Sequence, residues 1–409
     1  MTPPSATPIP AVPPRRPRLV CFVNGIFADG IGGGDVYFAY IARAALEAGY
    51  PLHFFGGHAF QRYLQRQNFP LNLTLTDRAS AQLGDVASLG GQFRLLFDFA
   101  RRLWGSLRRL GEVKETDLAY AMSDYWFDTI PLMRCRARVK ILYLGMIAPS
   151  LGQVIFQGRA DVSASRLASL YYWMSQQFSL RFFRHCRGHR VTYSHPEMRE
   201  YLLRFGYAEA DLTYVANGMD IAVADATPDQ PKQFDVVWTG RVHPQKGVDD
   251  LLATLGHLAR QVENFRALII GKSREALEPR VRALGLADQV TFSGLVSEAE
   301  KFRLLKASRV FVMPSRYESW GIVVGEALAA GVPVVAYELQ CYRPVFGDFV
   351  RYVKPFDLEA FQQAVELEVR NQRAGRNYLA VLDLPVLKRA LSWTSAQASF
   401  VRLLESAGH

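Results

Sequence analysis

The chain has 409 residues, 49% of them hydrophobic and 21% charged, enough for two domains with their own cores and too apolar for wholesale disorder. The formal net charge of +10 is uneven: residues 1–200 hold 24 Lys and Arg against 14 Asp and Glu, and residues 201–409 hold 24 against 24. Cys21, Cys135, Cys186 and Cys341 show no metal-ligand spacing and read as free thiols of a reducing compartment, and no apolar run is long enough to span a bilayer.

In chain order, the proline-rich residues 1–17 read as a disordered leader, not a secretion signal, because the arginine pair follows the prolines and heads no apolar run. "RLVCFVNGIF" (Arg18–Phe27) reads as a first strand. A glycine-rich turn follows, then a helix from Asp35 to Ala48 stopped by Gly49, then a second strand, which makes a βαβ opening. Thr116–Ser123, Val139–Met146 and His189–His195 read as buried strands, the last followed by a helix with Pro196 in its first turn. Leu212–Asp220 closes an N-terminal domain of residues 18–220, and 221–232 read as a linker.

A second α/β series occupies residues 233–390, with strands "FDVVWTGRV", "FRALIIGK", "VTFSG", "RVFVMPS" and "VPVVAYE" separated by helical patterns. Residues 391–409 read as a helix packing back toward the N-terminal domain. Short apolar strands alternating with helices predict parallel sheets covered on both faces. The expected architecture is two Rossmann-like α/β/α domains facing a central cleft lined by strand-to-helix loops.

Several segments carry chemistry. In "FADGIGGGDVY" three consecutive glycines, Gly32 to Gly34, permit a backbone whose N–H groups face an anion, although the spacing is not GxGxxG. In "WTGRVHPQKGVDDLL", Arg241 and Lys246 leave a strand end beside a helix start, where they meet either a diphosphate or water. In "PSRYESWGIVVGEALAAG" the helix is expected to start at Ser319 or Trp320. Glu318 then sits at or just before its N-terminus, where exposed N–H groups favour a carboxylate. Glu326, two turns on among apolar neighbours, needs a donor from protein or ligand, since an unpaired buried carboxylate is costly. The histidines form no metal pattern, and no Gly-x-Ser-x-Gly elbow occurs. Phe99–Lys114 is basic, with Phe99, Leu103, Leu107 and Leu110 on one helical face. It reads either as a helix packed on the core or as a peripheral membrane surface.

Taken together, these residues resemble a GT-B glycosyltransferase of the large retaining family that uses nucleotide-activated sugars (glycosyltransferase family 4, or group 1). The resemblance is strongest from Phe234 to Asp357, in "GRVHPQKGVDDLL", "IIGKS", "ADQVTFSGLVS" and the glutamate pair with seven residues between. It implies that Arg241 and Lys246 hold the donor diphosphate and offset leaving-group charge. Glu326 would bind the ribose hydroxyls and Glu318 would orient the donor sugar. Backbone groups around Ile322 and Val323, with Gly33 and Gly34 from the first domain, would approach the diphosphate, and Leu295 and Val296 the base. The implied reaction moves a hexosyl unit, with retention, from a nucleotide-diphosphate sugar to a saccharide or lipid-linked saccharide. It would follow a front-face path with no covalent nucleophile, no metal and no cofactor beyond the donor.

The resemblance further implies a cytoplasmic enzyme, peripheral on the inner face of the cell membrane if Phe99–Lys114 meets an anionic membrane surface, and no nucleic-acid partner. Two departures stand out. "VKILYLGMIAPS" has Met146 or Ile147 near the place of the family's histidine, and "LQCYRPVFGDF" lacks the usual acidic, glycine-rich turn. A nucleotide-sugar-binding protein without turnover, or a sugar-nucleotide epimerase or hydrolase of the same fold, is the alternative.

Overall fold

The computed structural model describes residues 16–25, 33–77, 89–148, 150–152, 166–240 and 242–407. The expected leader therefore lies almost wholly outside the described residues. Arg16 belongs to the fold, donating to Tyr50 Oη at 2.8 Å and to Glu405 at 3.0 Å.

The N-terminal domain runs β1 (Leu19–Val23), α1 (Gly33–Glu47), β2 (Leu52–Gly56), α2 (His58–Arg66), β3 (Leu73–Leu75), α3 (Leu89–Arg108), β4 (Leu118–Ala121), α4 (Trp126–Arg134), β5 (Val139–Leu144), α5 (Arg166–Phe183), β6 (His189–Tyr193), α6 (Pro196–Arg204) and β7 (Leu212–Tyr214). The C-terminal part runs α7 (Ile221–Ala226), β8 (Phe234–Thr239), α8 (Val248–Gln261), β9 (Ala267–Ile270), α9 (Arg274–Ala283), β10 (Val290–Gly294), α10 (Glu298–Lys306), β11 (Ser308–Met313), α11 (Ile322–Ala329), β12 (Val334–Tyr337), α12 (Arg343–Phe346), β13 (Val350–Val353), α13 (Leu358–Arg373), α14 (Leu384–Ala390) and α15 (Trp393–Ala407).

Among the described residues the strands form two parallel sheets, ordered β3-β2-β1-β4-β5-β6-β7 and β10-β9-β8-β11-β12-β13. Alternation along each strand builds a core on each face. In β1, Leu19, Cys21 and Val23 join Tyr37, Phe38 and Ile41 of α1 and Phe400 of α15. Val20 and Phe22 point the other way, onto Leu132 of α4, Leu180 of α5 and Leu202 of α6. The C-terminal sheet does the same. Val237 and Phe311 face α10 and α11, whereas Val236 and Trp238 face α8, α9 and α13.

The segment read as a linker is partly structural. α7 packs against α10 and α11, and its Ala224 is fully buried, because Ile221, Val223 and Ala224 give it one apolar face for the C-terminal core. The two chain crossings between domains pair with each other. Met219 N donates to Leu391 O at 2.8 Å, and Trp393 N to Met219 O at 3.3 Å. Beyond that crossing α15 packs on α1, with Trp393 stacked on Tyr40 at 4.2 Å.

Candidate active site

In each sheet the strand order reverses once, between β1 and β4 and between β8 and β11. Crevices at such switch points, outside the carboxyl ends of the strands, are where open α/β sheets bind ligands. Loops after β5 and β6 of the first domain and after β8, β11, β12 and β13 of the second enclose a cleft of about 1020 Å³, lined by Met146, Ala148 and His195 from one domain and by Arg316, Glu318 and Phe356 from the other.

After β11 the chain runs through Ser315 to Gly321 before α11 begins at Ile322, later than expected from sequence. The delay has a cause in Gly321, at φ +88°, where a Cβ would lie 2.6 Å from the Tyr342 ring. Trp320 beside it is buried, 5.4 Å from the Phe346 ring. Glu318 thus belongs to the loop and not to the first turn. Its Oε1 accepts from Lys246 Nζ at 2.5 Å and from Ser315 Oγ at 2.8 Å. Lys246 is held there because Gly247, at φ +62°, lies against Pro314, whose carbonyl a Cβ would strike.

Glu326, on the second turn of α11, is buried. Its Oε1 pairs with Lys301 Nζ at 2.8 Å, while Oε2 is buried without a partner. Burial pushes this carboxyl up, against the pull of Lys301. Burial works to lower the Lys301 ammonium, but Glu326 and Glu298 hold it above its ordinary value. The donor that Glu326 needs is therefore Lys301, a residue sequence reasoning did not single out. The signal was present: "SEAEKF" places Lys301 three residues after Glu298, to which it also pairs at 2.7 Å.

Away from the residues that line this cleft, the N-terminus of α1 meets that of α11. A Cβ on Gly33 would lie 3.5 Å from Ile322 Cδ1, and Gly34 has open space. Ile322 and Val323 supply the first-turn N–H groups of α11, which the helix leaves unbonded. Leu295 is exposed on the loop after β10, and Val296 packs on the C-terminal core. Arg241 lies outside the described residues.

The N-terminal lip carries Met146, His195 and one carboxylate, Glu197. Met146 stands at the cleft, and its Sδ accepts from Tyr317 Oη at 3.2 Å. Its carbonyl accepts from Gln176 Nε2 at 2.8 Å and Tyr172 Oη at 3.2 Å. Gln176 also donates to Asp124 at 2.6 Å, and burial pushes that carboxyl up to about 6. His195 caps α6 by accepting from Glu197 N at 3.3 Å, and its other ring nitrogen lies 2.8 Å from Cys341 O. An acceptor at one nitrogen and a donor at the other is the neutral ring, and burial lowers its proton affinity. His195 thus ties the domains together as well as capping a helix. Tyr40 Oη donates to Asp220 at 3.2 Å beside the domain crossing. Among the described residues, no group of three or more His, Cys, Asp or Glu is placed to hold a metal ion.

Residues 224–379 match the family described as glycosyl transferases group 1. The match covers 156 of the chain's 409 residues. The match lies in the domain that carries Glu318, Lys301 and Glu326. A phosphatidyl-myo-inositol mannosyltransferase of Mycobacterium leprae is 29% identical over 205 residues, 48% of this chain and 54% of the relative. The chain thus spans about half the length of that mycobacterial relative. The mannosylfructose-phosphate synthase of Agrobacterium fabrum is 26% identical over 325 residues, 72% of this chain and 70% of the relative. Anabaena HepE, solved with UDP and glucose, superposes with a TM-score of 0.67 at 15% identity, covering 96% of this chain and 100% of that one. Sucrose-phosphate synthase of Thermosynechococcus elongatus superposes with a TM-score of 0.68 at 18% identity, covering 96% and 99%. The fold is GT-B, as in these glycosyltransferases.

Proposed function

We propose that this protein is a group 1 glycosyltransferase that moves a hexosyl unit, with retained configuration, from a nucleotide-diphosphate sugar to a saccharide or lipid-linked saccharide. The observation that carries the reading is Glu326, whose buried Oε2 lacks a partner beside the meeting N-termini of α1 and α11. Ribose hydroxyls would donate to that oxygen. The first-turn N–H groups of Ile322 and Val323, with Gly33 and Gly34 opposite, would take the diphosphate. Leu295 and Val296 would border the base. Lys246, with Arg241, would offset charge on the leaving phosphate. Glu318, fixed by Lys246 and Ser315, would orient the sugar hydroxyls. On the front-face path the leaving phosphate takes the acceptor's proton, so no side chain serves as nucleophile. The cations and helix termini supply the positive charge, and the reading assigns no metal. That HepE was solved with UDP-glucose supports a nucleotide-sugar donor. Four unpaired cysteines suit a cytoplasmic site.

Calorimetry with UDP-, GDP- and ADP-sugars, on wild type and Glu326→Ala, tests this. One donor is expected to bind, and the variant to bind about tenfold to a hundredfold more weakly, the worth of one or two hydrogen bonds to a charged group. No binding across the panel by folded protein would overturn the reading. A second reading, donor binding without turnover, is favoured by Met146 standing at the cleft in place of a titratable side chain. Bound donor that is neither hydrolysed nor transferred to any acceptor would select it.

A further inference from the structure

We propose that the outer face of the α3–α4–α5 layer is a docking surface for an anionic lipid bilayer. The sequence leaves Phe99, Leu103, Leu107 and Leu110 open, as a face packed on the core or as a membrane surface. The structure turns that side inward, with Phe99 buried and stacked on Phe127 at 4.0 Å. The opposite side of α3 is the unusual one. Phe93 is 71% exposed, Phe97 64% and Trp104 58%, and their spacing puts them on one helical stripe. α5 repeats the pattern with Met174, Phe178 and Phe182, four residues apart and all exposed. Both helices pack against α4 between them, so the two stripes share one layer.

Charge selects the partner. Arg101 lies 5.8 Å from the Phe97 ring, and Arg108 5.0 Å from the Trp104 ring. From residue 89 to 111 there are five arginines and one acid, Asp98, and from 166 to 190 there is no acid at all. Exposed aromatics with arginines beside them suit the headgroup level of a membrane, where rings enter the interface and guanidinium groups meet lipid phosphates. A second copy docked through the same face would set arginine against arginine. No helix among the described residues is long and apolar enough to cross a membrane, so the contact is peripheral.

Topology gives the surface a use. Crossover helices run against their parallel strands, so α3 and α5 start at the edge of the sheet where the cleft opens. Adsorption through this face holds the cleft mouth beside the interface, where a lipid-linked acceptor resides; that consequence rests on the transferase reading, and the docking itself does not.

The test sediments the full chain with vesicles of phosphatidylcholine alone and of phosphatidylcholine mixed with phosphatidylglycerol, without donor or acceptor. Binding to the mixed vesicles only, released by high salt, is expected. The double variant Phe97→Ser/Trp104→Ser and the charge variant Arg101→Glu/Arg181→Glu should each bind at least about tenfold more weakly. Leu284→Ser/Val381→Ser, exposed residues of the C-terminal domain, should bind as wild type does. Circular-dichroism melts confirm that each variant folds, and donor calorimetry on the same samples separates failure here from failure of the transferase reading. No binding to anionic vesicles, or equal binding by the two α3 and charge variants, would overturn the proposal. So would a lipid-free dimer, in sedimentation equilibrium, that Phe97→Ser/Trp104→Ser dissociates, because the occupant would then be a second copy.

Discussion

Two carboxylates in each domain are held by different means. In the C-terminal domain Glu318 has Lys246 and Glu326 has Lys301, while Asp249 and Glu338 at the cleft pair with Arg280 and Arg343. In the N-terminal domain Asp124 is held by Gln176 and Tyr172, and Asp128 by Ser123 and the Asn24 backbone N–H. Burial pushes Asp124 up to about 6 and Asp128 to about 7, with Arg102 only a minor opposing influence on Asp128. A lysine partner fixes a charge, which suits a ligand of constant charge. Hydrogen bonds from neutral groups leave a buried acid free to take a proton near neutrality. The comparison teaches that Glu318 and Glu326 sit in fixed electrostatics, whereas Asp124 and Asp128 are held mainly by neutral hydrogen bonds and shape.

Breaking the C-terminal pattern should have the largest effect. Lys301→Ala leaves Glu326 buried and unpaired, and should cost about 2–4 kcal/mol in urea unfolding at neutral pH. The cost should shrink in acid, where Glu326 takes a proton. An unchanged midpoint would mean that Lys301 does not hold Glu326.

The N-terminal pattern predicts a pH dependence. The Asp128 carboxyl titrates at about 7 when folded, against an ordinary 3.8. Between those values the unfolded chain loses a proton that the folded chain keeps. The contribution to stability is therefore whole in acid and is lost as pH rises from about 4 to about 7. Asp128→Asn should remove about 1–3 kcal/mol of that decline, read as a flatter curve of unfolding free energy against pH.

The smallest effect concerns the contact that joins the lips. His195→Phe removes the hydrogen bond to Cys341 O and the cap on α6, and should cost about 0.5–2 kcal/mol. Hydrogen exchange should rise at Glu197 N, whose cap is lost, more than in the strands of either sheet. A uniform rise would point to general destabilisation instead.

Much of the fold was legible. β1, β4, β5, β6 and β8 fall inside the runs read as strands, because a strand buried on both faces is a continuous apolar run. β3 and β13 went unread, being short strands at the edges of their sheets with few apolar residues to mark them. α2, α4, α5, α12, α13 and α14 also fell outside the reading. In the site, Glu326 announced its need for a donor through its apolar neighbours, but the donor comes from α10, 25 residues away. Lys246 and Glu318 were each singled out. Their contact was not, since 72 residues separate them.

By itself the sequence determined what is local. Apolar runs and helical periods set the alternating elements, glycines at Gly247 and Gly321 set the turns beside Lys246 and α11, and an excess of arginine set the charge of the first half. Tertiary structure alone decided which charge meets which, that His195 bridges the domains, and which side of α3 faces out. Those outcomes depend on how faces of distant elements pack. A helical period shows that residues share a side, and only the neighbouring layer determines which side is buried.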